Sequence, residues 1–405
     1  MIAIFARCKY NRPRRIREGT VMKYQRDRAW IEISLDAIEE NYRRIKHDIG
    51  DSGIIAVLKA NAYGLGAVKL GRFLNTLGCR FFAVACIEEA VELRAGGVEG
   101  DIMTLGPVLP EHVAVAVEHD IITNLISVSH AEALSREAQR LGVTLRGHLK
   151  ADSGMARFGI VLEGRMDEAV EDALHVFSLP NLSIEGVFTH YTSADFPVAD
   201  QFNLHEIGLY DEFCARLREK GLSFIRHSAA SFYAAVYPET HNDYVRLASL
   251  LLGIEGPDPR GTVCEMAVEL KSRIYQIKDV PMGRPVSYGP ISFTLRDSRI
   301  AVVPIGYADG LRRTIQTKAS LLVNGQYAPI IGKICMDYLM LDVTDVDCKE
   351  GDEVVVFGRS GDKEQSIVDM ARLYGATVGE VPTVLNPRLP RFYLKNGEIV
   401  GRMDD

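Results

Sequence analysis

What the sequence lacks narrows its function first. Its 405 residues contain no CxxC pair, no cysteine–histidine spacing of the kind that holds zinc, and a single tryptophan. A membrane-spanning helix needs roughly 18 apolar residues in a row. The longest apolar stretches here are strand-sized, such as Leu247–Ile254. No metal site and no membrane partner are therefore expected. Positive charge is also short: 47 Lys and Arg against 54 Asp and Glu leave a formal net charge of -7. A phosphate backbone is met by a net basic surface or a dense basic stripe, so a nucleic-acid partner is not expected and a small-molecule ligand is favoured. The seven cysteines, Cys8, Cys79, Cys86, Cys214, Cys264, Cys335 and Cys348, are odd in number and scattered. They read as reduced, packed thiols of a cytoplasmic protein rather than a disulfide framework.

Residues 1–27 stand apart. The apolar patch from Ile2 to Phe5 precedes the basic residues Arg7, Lys9, Arg12, Arg14, Arg15 and Arg17. A secretory signal places its charge before its apolar core, so the order here is wrong. The segment predicts a disordered extension, with Met22 as an alternative start; a short transit or nucleic-acid arm is the competing reading.

From about residue 30 to 255, short apolar runs alternate with longer amphipathic segments, which is the pattern of a parallel sheet with crossover helices. The runs are Ile54–Leu58, Phe81–Ala85, Asp101–Leu105, Ile121–Leu125, Thr144–Leu149, Ile184–Thr189, Phe224–Arg226 and Tyr244–Leu247. Helical periodicity appears at Asp36–Lys46, Ile87–Ala95, His130–Leu141 and Phe202–Leu217. Eight such repeats fit a (β/α)8 barrel of about 250 residues better than an open sheet. After Gly261 the chain reads as strands and turns, with helical signal only near Ile367–Tyr374. Asn324-Gly325 and Asn396-Gly397 sit between alternating apolar runs and predict tight hairpins. The fold class expected is α/β, an N-terminal TIM-like barrel over 28–258 followed by a mainly β domain over 259–405. The boundary falls in Gly256–Gly261, where Gly-Pro-Asp-Pro-Arg-Gly cannot sustain regular structure.

In such a barrel the working residues lie just past the C-terminal ends of the strands. Lys59 ends the first run; Lys150, Asp152 and Arg157 follow the fifth; His190 ends the sixth; Ser231 follows the seventh; Arg246 lies in the eighth. Each alone has a bland reading at least as good as the functional one: a solvated lysine, a satisfied histidine, an arginine in an ion pair. Together they line one rim, and two or more cations there suit an anionic ligand. Lys59, at the edge of an apolar strand, is placed to lose solvation, which lowers an amine pKa as Schiff-base chemistry requires.

The string Ala56-Val57-Leu58-Lys59-Ala60-Asn61-Ala62-Tyr63-Gly64-Leu65-Gly66 resembles the attachment motif for pyridoxal 5'-phosphate (PLP) in the alanine racemase family. The resemblance runs from about Arg28 to the C-terminus and includes Ala29-Trp30-Ile31-Glu32-Ile33. It implies a PLP-binding barrel plus a β domain, and a cytoplasmic homodimer in which the β domain of one subunit completes the site of the other. The implied activity is interconversion of L- and D-alanine, supplying D-alanine for peptidoglycan. By the same resemblance Lys59 would carry the cofactor and exchange protons on one face of the substrate, and Tyr63 and Ser231 would hold the phosphate. Arg157, in the segment His148–Gly159, would contact the cofactor phenolate and the substrate carboxylate. Lys150 would match a lysine often carbamylated, His190 would lie beside the pyridine ring, and Arg246 would face its nitrogen. In the β domain Tyr288 would be the second base, Tyr307 would line the entry, and Met336 and Asp337 of Cys335-Met336-Asp337 would sit by the substrate carboxylate. A chain from Tyr288 through His190 to Arg246 would lower the phenol pKa from its usual value near 10.

The chain departs from the family pattern at Leu65, Ala230, Ala248, Ser249, Leu252 and Pro387. Most of these departures are expected around the phosphate or substrate pocket. Pro387 stands where many members carry a tyrosine, so serine or a broader set of amino acids is the alternative substrate. A PLP-binding regulatory protein and a decarboxylase of the same architecture are the alternatives of other classes; neither is expected to carry the Ser287-Tyr288-Gly289 and Cys335-Met336-Asp337 signatures together.

Overall fold

Eight short runs rich in β-branched and aromatic residues become the staves of a closed barrel. The computed structural model describes residues 26–192, 200–254 and 264–403. The expected extension up to residue 25, the alternative start at Met22 and the boundary at Gly256–Gly261 lie outside the described residues. The strands are Gly53–Val57, Phe81–Val84, Asp101–Thr104, Ile121–Leu125, Leu145–Asp152, Leu182–Phe188, Ile225–Ala230 and Tyr244–Leu247. Each pairs in parallel with its neighbours, and Tyr244–Leu247 returns to Gly53–Val57 to close the ring. Period-two alternation divides each strand between two environments. Ile55, Val57, Phe81, Ala83, Met103, Ile122, Phe188 and Ala248 fill the barrel interior. Ile54, Ala56, Phe82, Val84 and Ile102 face outward into the layer beneath the helices.

The helices form where periodicity and capping agree. Leu35–Asp48 starts with Ser34 accepting from the Ala37 amide and buries Leu35, Ile38 and Ile45 on one side. Val128–Leu141 is capped at its start by Ser127 and closed by Gly142 at φ 67°. Of the described cysteines, Cys79, Cys214, Cys264 and Cys348 are buried, and Cys86 and Cys335 are half-buried. No described helix is long and apolar enough to cross a membrane.

The second domain is built on a sheet whose order runs Gln326–Pro329, Ser320–Val323, Glu353–Ser360, Val268–Arg273, Ala29–Ser34, Arg391–Lys395, Glu398–Arg402. Gln276–Val280, Ser298–Val303 and Leu339–Asp342 form a smaller sheet. Both Asn-Gly pairs are hairpin turns, with Asn324 and Asn396 at φ 49° and 52°. The helix Ile367–Tyr374 lies where periodicity places it, capped by a reciprocal Ser366–Asp369 box.

One element differs from expectation. Ala29–Ser34 lies in the second domain's sheet, antiparallel to Val268–Arg273 and parallel to Arg391–Lys395, although residue 28 was expected to open the barrel. Its burial explains the placement: Trp30, Ile31 and Ile33 are fully buried, on both faces of the strand, as a central strand demands.

Candidate active site

Of the polar residues singled out on the barrel rim, all but Asp152 meet in one cavity of about 370 Å³ at the C-terminal mouth. Its lining includes Lys59 and Tyr63 after the first strand, Lys150 and Arg157 at the fifth, and Phe188 and His190 at the sixth. Ser231 follows the seventh strand and Arg246 comes from the eighth. Four of the lining residues are cationic and none is a carboxylate. A concave site of that size and sign suits an anionic ligand.

Lys59 owes its position to an unusual turn. Ala60, Asn61, Ala62 and Tyr63 all adopt left-handed φ values of 53–57°. Outside glycine this conformation costs about 1–2 kcal/mol per residue, so it persists only where surrounding bonds hold it. Those bonds are visible. The Ala62 amide donates to the Leu58 carbonyl across 2.7 Å. Glu89 accepts from the Ala60 amide at 2.7 Å and the Ala85 amide at 2.8 Å, tying the turn to the next strand's loop. Asn61 accepts from the Ala67 amide at 2.7 Å. The β domain grips the far end: Arg391 Nε donates to the Gly64 carbonyl at 3.1 Å, and the Tyr393 hydroxyl to the Leu65 carbonyl at 2.6 Å. A Cβ at Gly66 would stand 2.0 Å from the Tyr393 hydroxyl, so only glycine fits. Burial, reinforced by the positive charges of Arg157 and Arg246, lowers the Lys59 amine below its usual pKa.

The fifth strand supplies two more cations. Lys150 is buried, with Nζ donating to the Ala151 carbonyl at 2.6 Å and standing 5.4 Å from the centre of the Phe188 ring. Burial first, then Arg246 and Arg157, push its amine down to about 7. Arg157 rides on a loop that Asp152 organises by accepting from the Gly154 and Ala156 amides at 3.1 and 3.2 Å. Ser153 joins this loop to the sixth strand through the Thr189 hydroxyl at 2.8 Å.

Arg246 is buried and central. Nη2 donates to the carbonyls of Thr189 and Ser228 and lies 3.1 Å from His190 Nδ1, while Nη1 donates to the His227 carbonyl. Burial pushes its pKa down to about 10, which leaves it cationic at neutral pH. Burial and four surrounding cations, Arg246 foremost, hold His190 well below the ordinary imidazole range, so it is neutral. Ser231 accepts from the Ala248 amide at 3.0 Å, leaving its own hydroxyl proton free to turn elsewhere.

The β-domain residues are not brought to this cavity within one chain. Tyr288 is 69 % exposed, Tyr307 40 % and Met336 54 %, and none of them lines the cavity. Asp337 accepts from Arg388 at 2.8 Å. Arg388 also reaches the buried Asp309, which Arg28 holds from the other side. Of the departures from the expected pattern, Ala230, Ala248 and Ser249 line the cavity, whereas Leu65 and Leu252 are core residues and Pro387 is exposed. Glu89, Arg391, Tyr393, His148 and His227 receive no role from the sequence; their partners lie too far along the chain for spacing to reveal.

Two family models cover most of the chain: the alanine racemase N-terminal domain matches residues 33–256 and the C-terminal domain residues 267–393. The chain belongs to the alanine racemase family. It is 37% identical over 377 residues to alanine racemase 1 of Clostridium acetobutylicum, covering 92% of this chain and 97% of that one. An alanine racemase structure from Bacillus anthracis with bound L-Ala-P superposes with a TM-score of 0.85 at 30% identity, over 94% and 98% of the two chains. A histidine racemase from Leuconostoc mesenteroides subsp. sake has a TM-score of 0.80 at 28% identity, over 92% and 99%. The alanine racemase architecture accounts for both the barrel and the β domain seen here.

Proposed function

We propose that the protein is a cytoplasmic, PLP-dependent alanine racemase that interconverts L- and D-alanine and supplies D-alanine for peptidoglycan. The observation that carries this reading is the cavity itself: the Lys59 amine of lowered pKa, the guanidinium groups of Arg157 and Arg246, the buried Lys150 amine and no carboxylate in the lining. That lining fits pyridoxal phosphate, an aldehyde bearing a dianion. When bound, the cofactor supplies a sink for the electron pair left when the substrate loses its Cα proton.

Lys59 holds the cofactor and its Nζ carries a proton on one face of the substrate Cα. Racemisation needs a second group on the opposite face. Tyr288 Oη is that group, lent by the partner subunit of a homodimer; its exposure in a single chain supports this assignment. Tyr63 and Ser231 bind the phosphate. Arg157 orients the substrate carboxylate, with Met336 and Asp337 of the partner subunit beside it and Tyr307 of the partner subunit at the entrance. His190 would lie beside the ring, and Arg246 would face its nitrogen as a donor that stays protonated and so would not hand that nitrogen a proton. Lys150, buried with an amine near neutrality, is suited to carbamylation. The domains divide as an extension over 1–27, a barrel over 28–258 and a β domain over 259–405, with Ala29–Ser34 contributed to the β sheet.

The test is chiral separation of alanine incubated with purified protein and PLP. Either enantiomer alone is expected to reach an equal mixture, and Lys59→Ala to slow this by about 10²–10⁴-fold. Undiminished racemisation by Lys59→Ala, or none by the parent chain, refutes the reading.

A further inference from the structure

Three imidazoles meet Arg246 directly or in series, and only His190 has so far been given a task. Nη1 of Arg246 lies 3.0 Å from Nδ1 of His227, and Nε2 of His227 lies 2.9 Å from Nδ1 of His148. A guanidinium possesses donors and no acceptor, so the imidazole nitrogens facing it must both accept. The whole series is thereby given one direction. His227 carries its proton on Nε2 and donates it to His148 Nδ1, and His148 carries its own proton on Nε2.

The surroundings preserve that order. His148 and His227 are fully buried. Phe188 stacks on the His227 ring at 4.8 Å and 13° between planes, and Phe81 meets His148 edge-on at 5.9 Å and 82°. Gly186 makes room for His148, since a Cβ there would fall 2.7 Å from Nδ1. The series ends at His148 Nε2, which is buried without a hydrogen-bond partner among the described residues. No partner of the Arg246 guanidinium among the described residues is a carboxylate, so its charge reaches the cavity uncancelled.

We propose that His148 is a positioning residue for Arg246. By accepting the Nε2 proton of His227 it selects the one tautomer whose Nδ1 can receive Arg246, and so fixes the direction in which the guanidinium addresses the bound ring. This rests on the reading of the cavity as a PLP pocket. Without the acceptor at His148, His227 gains by turning its proton toward another partner, and a proton on Nδ1 would stand against an arginine donor.

Protein labelled with ¹⁵N at histidine, without and with added PLP, tests the assignment. Long-range proton–nitrogen spectra of the cofactor-free chain are expected to show His148, His190 and His227 as neutral rings protonated on Nε2. His148→Asn places an oxygen where Nδ1 stands and keeps the His227 pattern; His148→Phe abolishes the acceptor and leaves His227 in mixed tautomers. With PLP and alanine, His148→Phe lowers kcat about tenfold with KM within about twofold, the loss of one buried acceptor, while His148→Asn stays within about twofold of the parent. His227 protonated on Nδ1 in the parent overturns the proposal, as does a His148→Phe protein whose His227 spectrum and kcat are unchanged. If His148→Phe fails to fold, the parent and His148→Asn spectra decide. A parent chain that takes up no PLP refutes the functional reading instead, and the tautomers of the cofactor-free chain are then judged on their own.

Discussion

The Tyr393 hydroxyl donates to the Leu65 carbonyl across 2.6 Å, fastening the β domain to the left-handed turn that begins at Lys59. Both residues are buried. Tyr393→Phe leaves that carbonyl without this donor, at an expected cost of about 1–3 kcal/mol. Urea unfolding should register the loss, and the variant should also release PLP more readily during dialysis. Stability and cofactor retention equal to the parent would show that the turn holds itself.

Acid should weaken the fold through the buried imidazoles. Burial pushes His148 down to about 4, with Glu185 opposing and Arg146 assisting, and His227 is lowered in the same direction. In the unfolded chain these rings protonate near pH 6.5, before the folded ones do. Stability is therefore present above about pH 6.5 and is lost as pH falls toward about 4, by about 3 kcal/mol for His148 at about 1.4 kcal/mol per pKa unit. Unfolding of the cofactor-free chain followed at pH 7 and pH 4.5 checks this. His148→Asn, which no longer titrates there, should lose less than the parent; an equal loss contradicts the assignment.

Lys150 should react with carbon dioxide. At a pKa of about 7 much of its amine is neutral at physiological pH, and the free pair can form an N–C bond to carbon dioxide with release of one proton. Carbon-13 spectra of protein equilibrated with labelled bicarbonate should show a carbamate signal that Lys150→Ala lacks. An identical signal in that variant assigns it elsewhere.

Alanine should outcompete serine and lysine as substrate. Pro387 is exposed and lies outside the cavity lining, so the missing phenol leaves the described walls around Lys59 unchanged. Turnover of the three L-amino acids measured side by side should favour alanine by at least about tenfold, the order by which one added group in a pocket discriminates. Comparable rates for serine or lysine would point to a wider pocket.

The barrel was legible because its strands alternate with capped amphipathic helices. Asp101–Thr104 and Tyr244–Leu247 lie where apolar runs place them, and the seventh strand, read as Phe224–Arg226, extends to Ala230 because polar His227 and Ser228 are buried within it. The rim residues were legible by their position after strands. The placement of Ala29–Ser34 was not, because its partners Val268–Arg273 and Arg391–Lys395 lie far downstream. Nor was the left-handed course of Ala60–Tyr63, whose two alanines favour an ordinary helix and whose restraints come from Glu89, Arg391 and Tyr393. The Arg246–His227–His148 series escaped because its order follows from donor chemistry in three dimensions.

Subunit mixing tests the shared site most directly. Lys59→Ala and Tyr288→Phe chains, each inactive as a homodimer, are unfolded together, refolded with PLP and assayed for alanine racemisation. The mixed dimer contains one site with both Lys59 and the partner subunit's Tyr288, so activity should return to about a quarter of the parent's, half the dimers being mixed with one working site each. Mixtures as inactive as either variant alone would contradict a site built from two chains.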